Sequence, residues 1–345
     1  MKRSNFDKSK KSDKSEKSAE APFALFYRIN QAIRDRRLFK PNQRILIAAS
    51  GGQDSICLIK ILNQLKSQWN WQLGIAHCDH LWQIDSFYAA SHVSQLAENL
   101  NIDYYQCITT KVFNNEEKAR LWRYKILEQI ASSHDYTAIV TAHTASDRTE
   151  TFLYNLLRGT GPDGLQSLSW KRKLKSGIRI IRPLLSTTRF ELTVLAKQLQ
   201  MPLWPDKSNQ DLFFKRNLIR KQLLPYLRSF FNPQIDKTIA QLAELLHAET
   251  VYMENIAALI RIKAHKKDDT IAELDTSILK TLPLALQRRV LRQFLYHEMR
   301  YRFTFTEIER IRILYCNYKK VQKVEMKGTQ WVMYLHSNCL TISRT

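Results

Sequence analysis

Between residues 23 and about 228, short apolar runs alternate with segments of helical periodicity. The apolar runs predict five strands, at 44–49, 72–78, 104–109, 136–142 and 178–185. Apolar residues that recur every three or four positions predict helices at 55–66, 87–100, 116–132, 147–158 and 188–200. This alternation is typical of parallel strands joined by crossover helices. We therefore expect an α/β fold with a doubly wound, parallel five-stranded sheet that binds ligands beyond the carboxyl ends of its strands.

After residue 228 the apolar residues keep a helical spacing over a longer stretch than before. A long amphipathic helix is predicted over 229–262, and it begins near Asn232-Pro233 because proline is favoured in the first helical turn. Residues 263–270 are expected to form a linker.

Two shorter helices and some strand pattern follow the linker. The helices are predicted near 283–298 and 306–316, and a capping box from Thr306 to Glu309 would open the second. Residues 321–343 alternate weakly, as short strands do. A smaller, mainly helical domain with short C-terminal strands is therefore predicted over 229–345.

The first 22 residues differ from the rest in composition. They are rich in Lys, Ser and Asp and cannot bury a core, so we expect a disordered basic tail. They lack the apolar region of a secretory signal, and their four acidic residues argue against a transit peptide. The predicted domains are therefore the tail at 1–22, the α/β domain at 23–228 and the helical domain at 229–345.

The charge points to a polyanionic partner. The formal net charge is +22 and the pI is near 9.8, which favours RNA or DNA over a membrane surface. No stretch approaches the roughly 20 apolar residues that a membrane span needs, so no membrane partner is expected. Five scattered cysteines suggest a reducing compartment without disulfides.

A glycine-containing loop follows the first predicted strand. Residues Ser50, Gly51, Gly52, Gln53, Asp54 and Ser55 come between a buried strand and a helix start. Glycines let the backbone turn tightly, and the helix start offers free N–H groups to a phosphate. The lysine of the familiar ATPase loop is absent, so transfer of the γ-phosphate is not the expected reaction. An ordinary strand-to-helix turn is the alternative.

Several charged side chains are expected near this loop. His143, Asp147 and Glu150 follow the fourth strand and would share one helix face if the helix starts early. Two carboxylates beside a pyrophosphate suggest Mg²⁺, with Asp147 and Glu150 as its ligands. Arg120 and Arg123 share a face at i, i+3 spacing and suit phosphate or carboxylate recognition, although such a pair is more often a solvated surface.

Basic residues are densest after the fourth strand. The window 171–230 holds fourteen Lys/Arg against three acids, and it includes Arg216 and Arg220. Arg288, Arg289 and Arg292 lie on a predicted helix of the second domain. All five arginines are candidate contacts for nucleic-acid phosphates; for the last three, a solvated helix face is equally compatible with the pattern.

Several motifs follow one another along the chain. They are Ser50 to Ser55, Asp79-His80, Ala119 to Tyr124, Ala142 to Thr151, Arg158 to Leu165, Arg182 to Leu185 and Asp206 to Arg220. In this order they resemble the tRNA(Ile)-lysidine synthase family, and the Ser-Gly-Gly-x-Asp-Ser loop resembles that of N-type ATP pyrophosphatases. Thr144 stands where the family usually has a second histidine, while His143 keeps its spacing to Asp147. The residues of these motifs are most similar to those of the cyanobacterial and plastid branch.

The resemblance implies a ligase that uses ATP, Mg²⁺, free lysine and a tRNA(Ile) with a CAU anticodon. ATP adenylates the C2 oxygen of the wobble cytidine, and the lysine ε-amine then displaces AMP to leave lysidine. The implied catalytic residues are Asp54, Arg120, His143, Asp147 and Glu150. Which of them is the general base and which a metal ligand stays open, as does the oligomeric state, a homodimer included.

Two other functions remain as alternatives. A tRNA cytidine thiolase would share the loop, but this chain has no Cys-x-x-Cys for a sulfur carrier or an iron–sulfur cluster. A non-catalytic RNA-binding protein would have little reason to keep Asp54, Asp147 and Glu150. The branch resemblance and the scarcity of glycine favour a plastid-encoded protein in the stroma, with bacterial cytoplasm as the alternative.

Overall fold

The computed structural model describes residues 24–79, 81, 86–111, 113, 115–201, 215–267, 271–317, 322–325, 331–336 and 338–344. The predicted tail at 1–22 lies outside these residues. The chain divides into two compact units, Met1–Glu244 and Leu245–Thr345. This division falls later than the predicted boundary between residues 228 and 229.

A six-stranded, mostly parallel sheet organises the first unit. Its strand order is β3-β2-β1-β4-β6-β5, and only β5 pairs antiparallel with its neighbour. The order reverses direction at β1, between β2 and β4, which is where doubly wound sheets bind ligands. The strands are β1 Arg44–Ala49, β2 Gln72–Asp79, β3 Asp103–Ile108, β4 Ala138–Thr141, β5 Lys171–Lys173 and β6 Arg179–Ile181.

The five predicted parallel strands are all present, and β5 is an addition to them. Its sequence, Lys-Arg-Lys, has no apolar residue to signal a strand. Strand β5 forms because it is an edge strand that pairs with β6 through backbone bonds, from Lys171 opposite Ile181 to Lys173 opposite Arg179. The prediction of five strands is therefore corrected to six.

Both faces of the central strand β1 are covered by apolar side chains. Ile45 and Ile47 of β1 belong to one apolar cluster with residues of the first, second, third and seventh helices, whereas Leu46 belongs to another with Tyr124 and Leu127. Side chains alternate between faces along a strand, so a run of apolar residues is needed when helices cover both. This explains why β1 is a continuous apolar segment.

Among the described residues, ten helices and one π-helical turn begin within the first unit. They are α1 at 24–35, α2 Gln53–Trp69, α3 Ser86–Asn99, α4 Glu116–Ser133, α5 Ala145–Leu157, α6 Pro162–Leu165, α7 Arg189–Gln198, α8 Lys215–Leu218, the π-helix Ile219–Leu223, α9 Leu224–Phe230 and α10 Ile235–Ala264.

Helix α10 begins within the first unit and continues past its boundary. Near its start, Asp236 accepts two hydrogen bonds from Arg228, at 2.8 and 3.0 Å. Glu244 accepts from the indole Nε1 of Trp170 at 2.8 Å and from Nη1 of Arg148 at 3.1 Å. These bonds explain why the first turns of α10 belong with the α/β unit.

The second unit combines helices with a five-stranded antiparallel sheet of order β7-β8-β11-β10-β9. Its core draws on α10 to α13 and on the sheet, and includes Phe294, Leu295 and Met333. Part of the predicted linker at 263–270 is strand β7, which pairs with β8. The elements are β7 His265–Lys267, β8 Ile271–Asp275, α11 Thr276–Lys280, α12 Leu284–Met299, α13 Phe305–Cys316, β9 Gln322–Glu325, β10 Trp331–His336 and β11 Cys339–Arg344.

The predicted start of α13 needs a small correction. Its capping box is formed by Thr304 and Glu307, and not by Thr306 and Glu309. Both pairs have the Thr-x-x-Glu spacing, but Glu309 is held instead by Arg288 and Arg312. Among the described helices, none is both long and apolar enough to cross a membrane.

Candidate active site

The loop after β1 has the shape of an anion cradle. Gly51 has φ +81°, in the left-handed region, and a Cβ there would lie 2.9 Å from the Cβ of Ala89 on α3. Both backbone conformation and packing therefore require glycine. Gly52 is the N-cap of α2 and makes no side-chain capping bond. The first N–H groups of α2 are thus available to an anion, with the helix dipole favouring negative charge.

The six predicted loop residues all lie in this turn and the start of α2. The Ser55 hydroxyl donates to the Gly52 carbonyl oxygen at 2.8 Å, which tightens the turn. The Gln53 amide donates to the Thr193 hydroxyl on α7 at 2.9 Å. Asp54 lies in the first turn of α2. That these residues bind ATP stays a prediction; the fixed turn is the feature that supports it.

A capping box orients Asp147 at the start of α5. Thr144 is the N-cap, and its backbone N–H and its hydroxyl both donate to Oδ2 of Asp147, at 2.8 and 2.7 Å. Thr144 is fully buried. The residue that departs from the family pattern therefore has a structural role, since threonine is a favoured N-cap and its hydroxyl accepts from the N–H of Asp147.

The helix begins at Ala145, so His143 lies just outside it. Its Nδ1 is 2.7 Å from the hydroxyl of Thr141 at the end of β4. Burial lowers the pKa of His143, although the nearby Asp147 carboxylate opposes this shift. The imidazole is therefore neutral at ordinary pH and has a nitrogen able to accept a proton.

One arginine that the sequence did not single out joins three of the predicted acids. Arg189 is the first residue of α7, and its guanidinium contacts Asp54 at 3.0 Å, Asp147 at 2.9 Å and Glu150 at 3.2 Å. Its backbone N–H donates to the hydroxyl of Ser146 at 3.2 Å. Helix α7 thereby supplies a fixed cation to acids carried by α2 and α5.

Two further arginines reach the same acids from the chain after residue 214. Arg220 donates to both carboxylate oxygens of Glu150, at 2.7 and 2.8 Å, and lies 3.4 Å from Oδ1 of Asp147. Arg216 donates to the Thr151 hydroxyl at 2.7 Å and lies 3.6 Å from Glu150. These residues were predicted to bind tRNA, and the structure places them beside the catalytic candidates.

Arg220 lies in the π-helix, which has a local cause. Pro225 has no N–H to donate to the carbonyl four residues earlier, and its ring crowds that carbonyl. A widened turn just before the proline relieves this conflict, and such turns are frequent at functional sites. The widened turn, Ile219–Leu223, carries the Arg220 side chain to Glu150.

Burial and neighbouring charges shift the pKa values of the residues in this cluster in different directions. Burial raises the pKa of Asp54, although Arg189 partly opposes it. Burial alone would also raise the pKa of Asp147, but the charge of Arg189 and the Thr144 hydrogen bonds lower it overall. Burial would lower the pKa of Arg189, but Asp147, Asp54 and Glu150 raise it. Arg189 is therefore charged at every ordinary pH.

The carboxylates fit a Mg²⁺ ion only in part. Among the described residues there is no group of three His, Cys, Asp or Glu placed to hold a metal. The oxygens of Asp147 and Glu150 accept from arginines or from Thr144. The Oδ1 of Asp54 is buried without a hydrogen-bond partner in the described part of the chain. Of the three acids, Asp54 is therefore the one with an oxygen available to bind a cation.

Arg120 lies with Arg123 and Arg172 around the ring of Tyr124. The Cζ of Arg120 is 5.7 Å from the centroid of the Tyr124 ring. Burial would raise the pKa of Tyr124, but Arg182, Arg120 and Arg123 lower it overall. The structure records no contact between Arg120 and Asp54, Asp147 or Glu150. A catalytic role for Arg120 stays a prediction.

The three arginines predicted on the second unit all have acidic partners. Arg288 lies 2.6 Å from Glu309. Arg289 and Arg292 both contact Glu254, the latter at 2.5 Å. All three arginine side chains are held in ion pairs and are only partly exposed. Binding of tRNA by these residues stays a prediction.

A signal for Arg189 was present in the sequence. Thr188 and Glu191 form a capping box, and the Thr-x-x-Glu spacing is recognisable without a structure. It marks a helix start shortly after β6, hence near the carboxyl edge of the sheet where the other candidates gather. The helix start was therefore recognisable from the sequence, but the contacts of Arg189 with the three acids were not.

The fold and the glycine loop define a PP-loop protein. The family model for the PP-loop domain matches residues 24–227. The U34-tRNA thiolase NcsA from Methanococcus maripaludis, solved with its 4Fe-4S cluster, has a similar fold, with a TM-score of 0.55 and 17% identity. The similarity covers 66% of this chain and 80% of that one, and it shows the fold alone. The predicted fold class is confirmed.

Two curated relatives define the family more closely. The chloroplastic tRNA(Ile)-lysidine synthase of Zygnema circumcarinatum is 43% identical over 331 residues, which cover 84% of this chain and 79% of that protein. The tRNA(Ile)-lysidine synthase of a Nostoc species is 46% identical over 302 residues, which cover 84% and 88%. This chain belongs to the tRNA(Ile)-lysidine synthase family, as its motifs indicated, and its relatives include both chloroplastic and cyanobacterial proteins.

Proposed function

We propose that this chain ligates lysine to C2 of the wobble cytidine in the CAU anticodon of tRNA(Ile), with ATP converted to AMP and pyrophosphate. The tRNA oxygen first displaces pyrophosphate from the α-phosphate of ATP. The lysine ε-amine then attacks C2 and AMP leaves. The observation that carries the proposal is the Arg189 cluster, which puts three carboxylates and a fixed cation beside the glycine loop.

The loop and Arg189 would serve the first step. The N–H groups at the start of α2 are suited to phosphate oxygens, and the loop has no lysine to reach terminal phosphates. Pyrophosphate is therefore the expected leaving group. Its departure concentrates negative charge, and a fixed guanidinium nearby stabilises that charge without reorganisation.

The acids and His143 would serve the second step. An ammonium group is not a nucleophile, so the lysine ε-amine has to lose a proton before or during its attack. Neutral His143 and the carboxylates of Asp147 and Glu150 are the candidate acceptors. His143 is favoured because its imidazole bonds the uncharged Thr141 hydroxyl, whereas both carboxylates already bond arginines.

Magnesium belongs to the proposal as an ion that accompanies ATP. Mg²⁺ keeps several waters and takes only one or two carboxylates besides phosphate oxygens. Asp54 Oδ1 would be its first protein ligand, because that oxygen is buried without a partner in the described part of the chain. Asp147 and Glu150, the ligands expected from the sequence, would join only by exchanging an arginine. The ion would neutralise charge on the phosphates.

The remaining partners follow from the same proposal. Free lysine is the second substrate, tRNA(Ile) the first, and a homodimer is one candidate assembly. Arg216 and Arg220 would contact tRNA phosphates by giving up part of their bonds to Glu150. The plastid stroma is favoured as the location, because chloroplastic and cyanobacterial proteins are both among the relatives, with bacterial cytoplasm as the alternative.

One assay tests the proposed function directly. Purified protein is incubated with α-labelled ATP, radiolabelled lysine and a tRNA(Ile) transcript with a CAU anticodon, beside a transcript with G at the wobble position. Label should enter only the first RNA, with equimolar AMP. ADP as the main product would contradict the pyrophosphatase chemistry. Sulfur incorporation without lysine would favour the thiolase alternative.

A further inference from the structure

Three aromatic side chains cluster on the surface at the end of α9. Tyr226, Phe230 and Phe231 are 53%, 73% and 70% exposed. The Tyr226 ring lies 4.9 Å from that of Phe230 and 5.8 Å from that of Phe231, measured between centroids. These rings contact one another while most of their surface stays in solvent. An exposed apolar cluster of this kind marks a binding surface.

The cluster is held outward by the packing of α9. Leu224 is fully buried, and residues two apart on an α-helix point about 200° from each other. Burial of Leu224 therefore turns Tyr226 to the opposite side. Tyr226 and Phe230 are therefore presented on a fixed helix, with Phe231 as its C-cap, and the cluster does not belong to an incompletely packed core.

The aromatic cluster is near the candidate active site along the chain. Arg220 contacts Glu150, and the chain continues from it through the π-helix into α9. Ten residues separate Arg220 from Phe230, which is roughly 15 Å at helical rise. That length corresponds to about four nucleotides of a stacked strand.

The charge around the rings selects the class of partner. Residues 215–237 contain six Lys/Arg and one acid, and that acid, Asp236, is already paired with Arg228. Lys221 and Lys237 are exposed. Aromatic faces beside an excess of positive charge suit unpaired bases on a phosphate backbone.

We propose that Tyr226, Phe230 and Phe231 form a stacking platform for unpaired bases of the tRNA anticodon loop. The inference rests on the proposed function, in which that loop carries the reacting cytidine. Stacking here would hold a neighbouring base while the cytidine enters the site. Stacking on this platform would increase the affinity for RNA without neutralising any further phosphate charge.

The test compares RNA affinity between matched variants of the full chain. One variant combines Tyr226→Ala, Phe230→Ala and Phe231→Ala; the control is Tyr27→Ala, whose side chain is also exposed, at 72%. Each is titrated at several salt concentrations with a 17-nucleotide anticodon stem–loop and with a blunt duplex of similar length. A Phe230→Trp variant keeps an aromatic ring and should bind like the wild type.

The expected result is a selective loss. The triple variant should bind the stem–loop roughly fivefold to a hundredfold more weakly, the range for one stacked base. The slope of log K against log salt should not change, because the substitutions leave every cation that could pair with a phosphate in place. The blunt duplex and the Tyr27→Ala control should behave like the wild type.

Several results would overturn the inference. Equal affinity of the triple variant and wild type would remove the platform, as would equal weakening for stem–loop and duplex. A change in sedimentation without a change in stem–loop affinity would assign the rings to a second copy of the chain. Wild-type lysine incorporation is measured in parallel: if it occurs while the platform fails, only this inference falls, and if it is absent, the proposed function falls first.

Discussion

The Nε of Arg189 lies 3.0 Å from Oδ2 of Asp54, and this bond ties the start of α7 to the glycine loop. The same guanidinium reaches Asp147 and Glu150 on α5. Three helices that start at the same edge of the sheet are thus joined by one cation. The positions of the glycine loop and of the carboxylates are therefore coupled, and moving one should move the other.

Replacing Arg189 by Gln should lower kcat/KM for AMP formation by on the order of a hundredfold or more, the usual cost of losing a charge-stabilising donor. Arg189→Lys keeps the charge but cannot span three carboxylates, so an intermediate loss is expected. Steady-state kinetics with tRNA and ATP measure the effect, and thermal unfolding checks the fold. The control is Arg28→Gln, which breaks an exposed bond to Glu191 on the same helix. Wild-type kinetics in a folded Arg189→Gln protein would contradict a functional role.

Asp54→Asn should abolish AMP formation without lowering stability at neutral pH. Burial raises the pKa of Asp54 above its usual 3.8, so the ionised form costs the folded state free energy at neutral pH. The neutral amide escapes that cost, and Tm should be equal or slightly higher. As pH falls through the raised pKa, wild-type Asp54 is protonated and the difference in Tm should vanish. A lower Tm for the variant at pH 7 would mean that the bond to Arg189 outweighs burial.

Parts of the site were predictable because they follow from local rules. The loop at Ser50 to Ser55 was recognisable from glycine spacing after an apolar strand, and the acids from their position after β4. Arg189 was not recognised, because its role depends on a contact with Asp54, which lies 135 positions away in the chain. No short-range pattern encodes such a distance.

The same distinction explains the errors in the fold. Strands β1, β2, β4 and β6 carry buried apolar residues, so their sequence shows them. Strand β5 is a basic edge strand that exists only because β6 is beside it. For α13, two Thr-x-x-Glu pairs overlapped, and Glu309 pairs with Arg288 on α12 and with Arg312 on α13 itself and does not cap the helix. Local sequence patterns indicate where most helices and strands lie. Contacts with other parts of the structure decide where two local patterns are equally good or where no pattern is present.

Glu244→Gln should destabilise the first unit by about 2–3 kcal/mol, because it leaves the buried guanidinium of Arg148 without its carboxylate. Although burial would raise it, hydrogen bonds from Trp170 and Arg148 hold the pKa of Glu244 below 4.5. Its contribution is therefore complete at neutral pH and is lost as pH falls through that lowered pKa. Urea unfolding at pH 7 and over a series of pH values below 4.5 measures both effects.

Arg36→Gln is the matched control for this prediction. Arg36 contacts the same carboxylate, but its side chain is 38% exposed. Its loss should cost about 1 kcal/mol or less, as for other surface pairs. Equal destabilisation by the two variants would show that the buried environment of Arg148 contributes nothing special.

The salt dependence of tRNA binding should distinguish exposed from paired cations. Arg172 and Lys173 on β5 are exposed, so neutralising both to Gln should flatten the slope of log K against log salt by up to about two units, one for each phosphate that is no longer neutralised. Arg216→Gln with Arg220→Gln should change the slope less, because these guanidiniums keep part of their bonding to Glu150 when they contact a phosphate. Fluorescence anisotropy with labelled tRNA gives both slopes. Equal flattening by the two pairs would show that Arg216 and Arg220 leave Glu150 completely when tRNA binds, and an unchanged slope in the β5 pair would place the tRNA away from that edge.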